Sequence, residues 1–255
     1  MNRQILTALN LCILTAFAGC GGGGGSSETT QPPAGPSAEG AYSGSATGGT
    51  STAFQLVVLE NGDYWSLYGR NSGGVFLVSG LLQGQGTSSN PNFTSSNTRD
   101  FGVSPPATGS INATYVTGTS ISGNGTAAGQ TFTFSGQSIP ATTYDYNTPA
   151  SLTSIVGSWS LTALNGAAVS MAIANTGSFT ASTSGCNFSG TVTPRPSGKN
   201  IFNVALTFGP APCALPNQAA SGIAISNLLA NGNRQLIIAG TDTARNNGTV
   251  LFGLR

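Results

Sequence analysis

The chain has 255 residues, of which 38% are hydrophobic and only 6% are charged, and it contains no histidine. Its formal net charge of +1 provides no basic surface for the phosphates of a nucleic acid, so nucleic-acid binding is not expected. Without histidine the chain lacks the commonest general base and the commonest metal ligand. We therefore expect a protein that is not an enzyme and that holds neither a metal nor a cofactor.

The amino terminus has the features of an export signal. Arg3 precedes a mostly apolar run over residues 5–18. As a helix this run would span roughly 21 Å, short of the ~30 Å hydrocarbon core of a bilayer, so it predicts a signal peptide over residues 1–19 instead of a membrane span.

The end of this segment, Phe17-Ala18-Gly19-Cys20, resembles the lipobox of bacterial lipoproteins, in which small residues precede an acylated cysteine. The resemblance implies that Cys20 carries the lipid and becomes the first residue of the mature chain. Gly21 follows it, which by resemblance to Gram-negative lipoproteins implies the outer membrane, with periplasmic and surface orientations both open. In the alternative, Cys20 is the small residue of an ordinary cleavage site and remains a free thiol.

Residues 20–39 are rich in Gly, Ser and Pro and predict a flexible tether. A coil of this length has a reach of roughly 24 Å, which would let the folded part stand clear of the headgroups. Two or more acyl chains hold a protein in a bilayer far more firmly than one. The expected partner is therefore the membrane, contacted through the amino-terminal lipid.

The remaining cysteines predict one disulfide. Cys12 leaves with the signal, so Cys186 and Cys213 are the possible internal pair in an exported, oxidising compartment. The alternatives, a metal pair or a reactive thiol, need histidine or basic neighbours that this sequence lacks. The bond would close a loop worth about 3–4 kcal/mol in the chain-entropy model.

Beyond residue 40 the pattern is that of an all-β chain, because period-two alternation and turn dipeptides recur while helix signals are almost nil. We expect two tandem, small, antiparallel up-and-down β-barrel-like modules, over residues 40–139 and 155–255, joined by a linker over 140–154. One large domain of more than 200 residues is the alternative.

In the first module, Asn61-Gly62 matches a type I′ hairpin turn between two strands. We also expect one strand over Gly109 to Ser122, with Asn124-Gly125 as the turn that follows it.

The second module is predicted to have eight strands, with one apolar face and one face of small polar residues, as an up-and-down barrel requires. The expected strands are Ile155–Thr162, Ala167–Ala174, Gly177–Thr183, Cys186–Thr193, Ile201–Gly209, Gly222–Leu229, Arg234–Thr241 and Thr249–Leu254.

Gly157-Ser158-Trp159, in the first of these strands, resembles the G-x-W signature of the calycins, the lipocalin and avidin-like barrels. The resemblance implies that Trp159 packs over the barrel floor beside a basic residue from the last strand, a place that Arg255 would fill. The alternative role for Trp159 is plain core. The architecture and glycine-rich strands such as Tyr115–Gly123 also resemble surface lipoproteins of the transferrin-binding type, which carry small β-barrels on a lipidated tether.

No catalytic constellation is expected. The chain has no G-x-S-x-G elbow, and without histidine no Ser-His-Asp triad can form. Glu60 and Asp63 bracket a hairpin turn, where carboxylates are commonplace. The basic stretch from Pro194 to Asn200 fits an exposed hairpin, with contact to lipid A phosphates or to an acidic partner as the alternative.

Three functions follow as hypotheses. A recognition or scaffolding module would present an exposed aromatic patch that includes Tyr64, Trp65 and Tyr68. A calycin-like carrier of a small apolar molecule would instead have an enclosed, largely apolar cavity above ~300 Å³, with Trp159 and Arg255 as further candidate ligand contacts. A structural envelope component would have neither feature.

Overall fold

A computed structural model describes residues 36–48 and 51–255, which belong to one compact unit. The predicted signal peptide, Cys20 and most of the predicted tether lie outside these residues. The described part is all-β, as predicted, with a single turn of 3₁₀ helix at Leu152–Ser154. None of its helical segments is long and apolar enough to cross a bilayer.

The strands are β1 Gly40–Thr47, β2 Ala53–Val58, β3 Asp63–Ser72, β4 Val75–Gln85, β5 Thr87–Ser89, β6 Asn92–Asp100, β7 Ala107–Val116, β8 Ser120–Ala127, β9 Gln130–Ser138, β10 Gly157–Ala163, β11 Ala168–Ile173, β12 Ser178–Thr183, β13 Cys186–Pro194, β14 Phe202–Phe208, β15 Ala219–Leu228, β16 Arg234–Thr241 and β17 Gly248–Leu254.

The first nine strands form one antiparallel sheet in the order β4-β3-β2-β1-β9-β8-β7-β6-β5. The sheet closes on itself because β4 also pairs with β6, through Leu82 with Asp100 and Gln83 with Arg99. The result is an eight-stranded barrel, with the short strand β5 attached to β6 as an extra hairpin partner. We call it the first barrel.

Strands β10 to β17 form a second closed barrel, in which each strand pairs with its sequence neighbours and β17 returns to pair with β10. Its Cys186–Cys213 disulfide is present, as predicted, and ties the start of β13 to the connection between β14 and β15. Two tandem antiparallel barrels are therefore confirmed.

One strand expectation in the first barrel was wrong. The stretch from Gly109 to Ser122 is interrupted by a turn at Val116–Ser120, in which Gly118 has φ +63°, so it contributes to two strands, β7 and β8. Asn124-Gly125 is no turn but the middle of β8. A Cβ on Gly125 would meet the Phe132 ring at 2.6 Å, so this glycine makes room for an aromatic side chain within the barrel.

The two barrels share a hydrophobic core, which we call the joint core. Trp65, Leu67 and Leu81 of the first barrel cluster there with aliphatic side chains from β15 and β16 of the second. Those two strands are buried on both faces, since Ala224, Leu236 and Ile238 belong to a separate cluster inside the second barrel. The members contributed by β15 and β16 are Ile223, Ile225, Ile237 and Ala239.

The segment between the barrels packs into this core as well, since Ile139, Tyr144 and Tyr146 are buried there. The Tyr146 hydroxyl donates to Glu39 Oε1 at 3.1 Å and to the Val58 carbonyl at 3.3 Å. Residues 140–154 therefore help to hold the barrels together.

Two basic side chains of the stretch near residue 195 form ion pairs with acidic side chains of the same chain. Arg195 pairs with Glu60 of the first barrel at 2.9 Å, and Lys199 lies 3.5 Å from Glu39. Each of these cations thus has an acidic partner in this chain, so both ion pairs join the two barrels.

Candidate functional site

The interior of the first barrel contains a cavity of about 260 Å³. Side chains that alternate inward from most of its strands form the wall, which is largely apolar. The residues around the opening come from the β1–β2, β6–β7 and β8–β9 connections and the strand ends beside them. The wall residues are Phe54, Leu56, Tyr64, Ser66, Tyr68, Leu82, Phe93, Asp100, Ile111, Ile121, Phe132 and Phe134, and those around the opening are Ala46, Thr47, Gly48, Ser51, Val103, Ala127, Ala128 and Gln130.

Glycines opposite the aromatic rings shape this wall. A Cβ on Gly80 of β4 would collide with the ring of Tyr68, and one on Gly84 would meet the Tyr64 hydroxyl at 2.5 Å. The two tyrosines can therefore lie against the sheet. Large aromatic side chains fit inside the barrel while space remains between them.

The end of the barrel away from the opening is closed. Residues 36–39, at the end of the predicted tether, pack there, and Ala38 is fully buried. The Tyr42 hydroxyl donates to the Ala38 carbonyl at 3.1 Å, and the Tyr115 hydroxyl donates to the Pro36 carbonyl at 2.8 Å. Burial raises the pKa of Tyr42 to about 12, so its hydroxyl remains a donor at neutral pH. These residues form a floor.

The wall carries a polar site near the open end, centred on the carboxylate of Asp100. Asp100 is only 5% exposed. Its Oδ1 accepts a hydrogen bond from the Tyr68 hydroxyl at 2.8 Å and another from the Gly102 amide at 2.8 Å. Burial raises the pKa of Tyr68, and the negative charge of Asp100 raises it further. The phenol therefore remains protonated and oriented toward the carboxylate.

A second polar group lies deeper in the barrel. The Tyr64 hydroxyl lies 2.5 Å from Thr98 Oγ1 and donates to Ser95 Oγ at 3.2 Å, while Ser95 donates to the Gln85 carbonyl at 2.8 Å. Burial raises the pKa of Tyr64, although these hydroxyl contacts offset part of the shift. Since these hydroxyls satisfy one another, this group contributes mainly to the structure of the wall.

The aromatic patch expected of Tyr64, Trp65 and Tyr68 does not form on the surface. Alternation along β3 points Tyr64 and Tyr68 into the cavity, while Trp65 points outward and is buried in the joint core. The second barrel covers the face on which Trp65 lies, so no exposed surface is left for it. Two of these three candidate ligand contacts therefore line the cavity.

Trp159 and Arg255 lie in the second barrel, away from this cavity. Trp159 is 2% exposed, and its indole N–H donates to the Ile155 carbonyl at 2.6 Å. The Arg255 guanidinium stacks 4.4 Å from the centre of its ring, the arrangement that the G-x-W resemblance implies. Gly157 has φ +116°, and a Cβ there would meet the Arg255 guanidinium at 2.5 Å, so the glycine of the triplet makes room for this stack.

The second barrel offers a different surface. Its interior is packed with buried side chains that include Trp159, Phe179, Phe188 and Phe202. Outside, an open depression of about 820 Å³ lies along β10–β14. Its exposed side chains are short, mostly Ser, Thr and Ala, and carry no charge. These side chains offer hydroxyl groups but neither a charge nor an enclosed space for a small molecule.

Within the residues that the structure describes, no three or more Asp, Glu, Cys or His side chains group as metal ligands. The fold and the cavity together define the class of this protein: a two-barrel, all-β protein with a small internal pocket in its first barrel.

Comparison with known proteins adds no named family. No family model matches the chain, and no curated protein matches it. Among solved structures, it matches a protein of unknown function from the DUF3598 family of Nostoc punctiforme at 12% identity, with 85% of this chain and 94% of that chain covered and a TM-score of 0.25. A similarity at this TM-score carries no argument about function.

Proposed function

We propose that this protein binds a small, largely apolar molecule inside its first barrel. The cavity of about 260 Å³ carries this proposal, because its wall is aromatic and aliphatic and its floor is closed. Ligand sites are commonly concave and apolar, with a few convergent polar groups. Here those groups are Asp100, Tyr68 and Ser66.

The volume limits the ligand. It is below the ~300 Å³ that marks the lower end of ordinary ligand pockets and equals the space of roughly nine water molecules. A molecule of about ten non-hydrogen atoms is the expected size. The proposed role is binding without catalysis, which rests on the absence of histidine from the chain.

Filling the cavity tests this function. Ser66 of β3 lines the wall, so Ser66→Phe places a ring in space that a ligand would occupy. We expect titration calorimetry with octanol to show binding to the wild type and an affinity at least about tenfold lower for this variant. Ser122→Phe adds the same ring at an exposed position of β8 and is expected to bind octanol like the wild type. Equal octanol binding by Ser66→Phe, or a wild type that binds neither octanol nor a charged probe with the same alkyl chain, would overturn the proposal.

We further propose that the chain is a lipid-anchored envelope protein of the outer membrane. Support comes from the sequence Phe17-Ala18-Gly19-Cys20 after an apolar run, and from the exported environment that the Cys186–Cys213 disulfide suits. In cells fed labelled palmitate, the wild type is expected to carry label and fractionate with membranes. Cys20→Ser is expected to lose both properties. An unlabelled wild type would refute the anchor.

A further inference from the structure

The cavity wall contains a charged side chain that forms no ion pair with the residues that the structure describes. Of the described residues that line the cavity, Asp100 is the one that is charged. The ion pairs among the described residues join Glu60 to Arg195 and Glu39 to Lys199, and Asp100 takes part in neither. A buried carboxylate without a cation is costly, because hydrogen bonds replace only part of its hydration.

The hydrogen bonds to the Asp100 carboxylate reach only one of its two oxygen atoms. Both donors, the Tyr68 hydroxyl and the Gly102 amide, are directed to Oδ1. Oδ2 accepts no hydrogen bond from the described residues, although an ionised carboxylate can accept about four. One oxygen of Asp100 is therefore left for a donor that enters the cavity.

The surroundings of Asp100 suit a cation with an apolar body. Tyr68 lies beside the carboxylate, and the rings of Phe54, Phe132 and Phe134 line the same cavity. Aromatic faces attract cations, most strongly where water is excluded. A carboxylic acid would instead bring a second negative charge toward Asp100, and an alcohol would supply a donor without neutralising it.

From these observations we infer that the first barrel selects an amphiphilic amine, a small apolar molecule whose ammonium group binds Asp100. This inference rests on the proposed function and specifies its ligand class. The ammonium group donates to the carboxylate near the open end, and the apolar part extends toward the Tyr64 end of the cavity. Charge-assisted hydrogen bonds of this type are about twice as strong as neutral ones.

Three probes with the same alkyl chain test the inference on the unmodified protein: octylamine, octanol and octanoate, each titrated by calorimetry at neutral pH. We expect octylamine to bind at least about tenfold more tightly than octanol, and octanoate to bind most weakly. Because this comparison needs no substitution, it holds even if a variant fails to fold.

Asp100→Asn keeps the shape of the side chain and removes its charge. It is expected to weaken octylamine binding at least about tenfold more than it weakens octanol binding, because octanol carries no charge that pairs with the carboxylate. Asp63→Asn is the matched control, since it removes the same charge at the β2–β3 turn, outside the cavity lining. We expect it to preserve the preference for octylamine.

The outcomes separate the inference from the function on which it rests. If octanol binds and octylamine binds no more tightly, the cavity is a binding site and the assignment to amines is wrong. If Asp100→Asn retains the full preference for octylamine, Asp100 serves only to hold Tyr68 and Gly102, and the inference is likewise overturned. If none of the three probes binds, the proposed function itself fails.

Discussion

Replacing Trp65 with alanine is expected to lower the free energy of unfolding by about 3–5 kcal/mol, the usual cost of removing a large buried aromatic side chain. Trp65 is 9% exposed and packs in the joint core beside Ile225 and Ile237 of the second barrel. The substitution therefore weakens the contact between the two barrels as well as the first barrel itself. Urea unfolding followed by far-ultraviolet circular dichroism measures the loss.

Val116→Ala is a suitable control for this measurement. Val116 is an apolar residue of the same barrel that is 60% exposed, so its truncation is expected to change stability by no more than about 0.5 kcal/mol. A loss below about 1 kcal/mol for Trp65→Ala would contradict the joint core, because it would mean that Trp65 has little packing to lose.

Loss of the Cys186–Cys213 disulfide is the second large effect. The two cysteines are 27 residues apart, and closing a loop of this length stabilises the fold by about 3–4 kcal/mol in the chain-entropy model. Both side chains are buried, so we expect the double variant Cys186→Ala, Cys213→Ala to unfold at a clearly lower urea concentration than the wild type. Equilibrium urea unfolding without reductant measures the difference.

A reductant provides the control for the disulfide. Dithiothreitol is expected to lower the unfolding midpoint of the wild type toward that of the double variant and to leave the double variant unchanged. An unchanged midpoint for the reduced wild type would show that the bond contributes little stability.

The second barrel was predicted from the sequence to within three residues at every strand boundary. In β10 to β13 buried and exposed residues largely alternate, and glycines occupy turn positions that need a positive φ. Gly166 and Gly232, for example, have φ of +83° and +84°, and because the asparagines before them do not have positive φ, these turns place only the glycine in the left-handed region; the same holds at Asn61-Gly62, so the type I′ turn expected there was wrong. In these elements the residue pattern of each segment matches the strand or turn that it forms, so the pattern alone predicts the element.

In the first barrel an asparagine-glycine pair does not mark a turn, because its glycine makes room for a neighbouring side chain within a strand. Gly125 sits in mid-strand because Phe132 occupies the room that a side chain would need. That requirement depends on a neighbouring strand, so the dipeptide alone could not show it. The short strand β5 was missed for a similar reason, since its three residues gain their structure from pairing with β6.

The central residue of the site was hidden by a break in alternation. Phe93 and Ser95 of β6 face inward, and an irregularity between Ser95 and Thr98 then shifts the pairing with β7. Thr98 and Asp100 therefore face inward too, although simple alternation from Phe93 would point both outward. The position of Asp100 in the wall becomes visible only with the register of β6.

The pattern of apolar residues in β16 contains a signal of the joint core. Leu236 to Ala239 is a continuous apolar run, which is typical of a strand that is buried on both faces. The sequence contains that signal, but it does not state which surface covers the outer face. For the same reason the burial of Trp65 could not be derived from β3 alone.

The closed floor sets the direction from which the pocket is reached. Residues 36–39 join the first barrel at the end away from its opening. The chain therefore enters the first barrel at its closed end, and in the proposed function a ligand would enter through the opposite end.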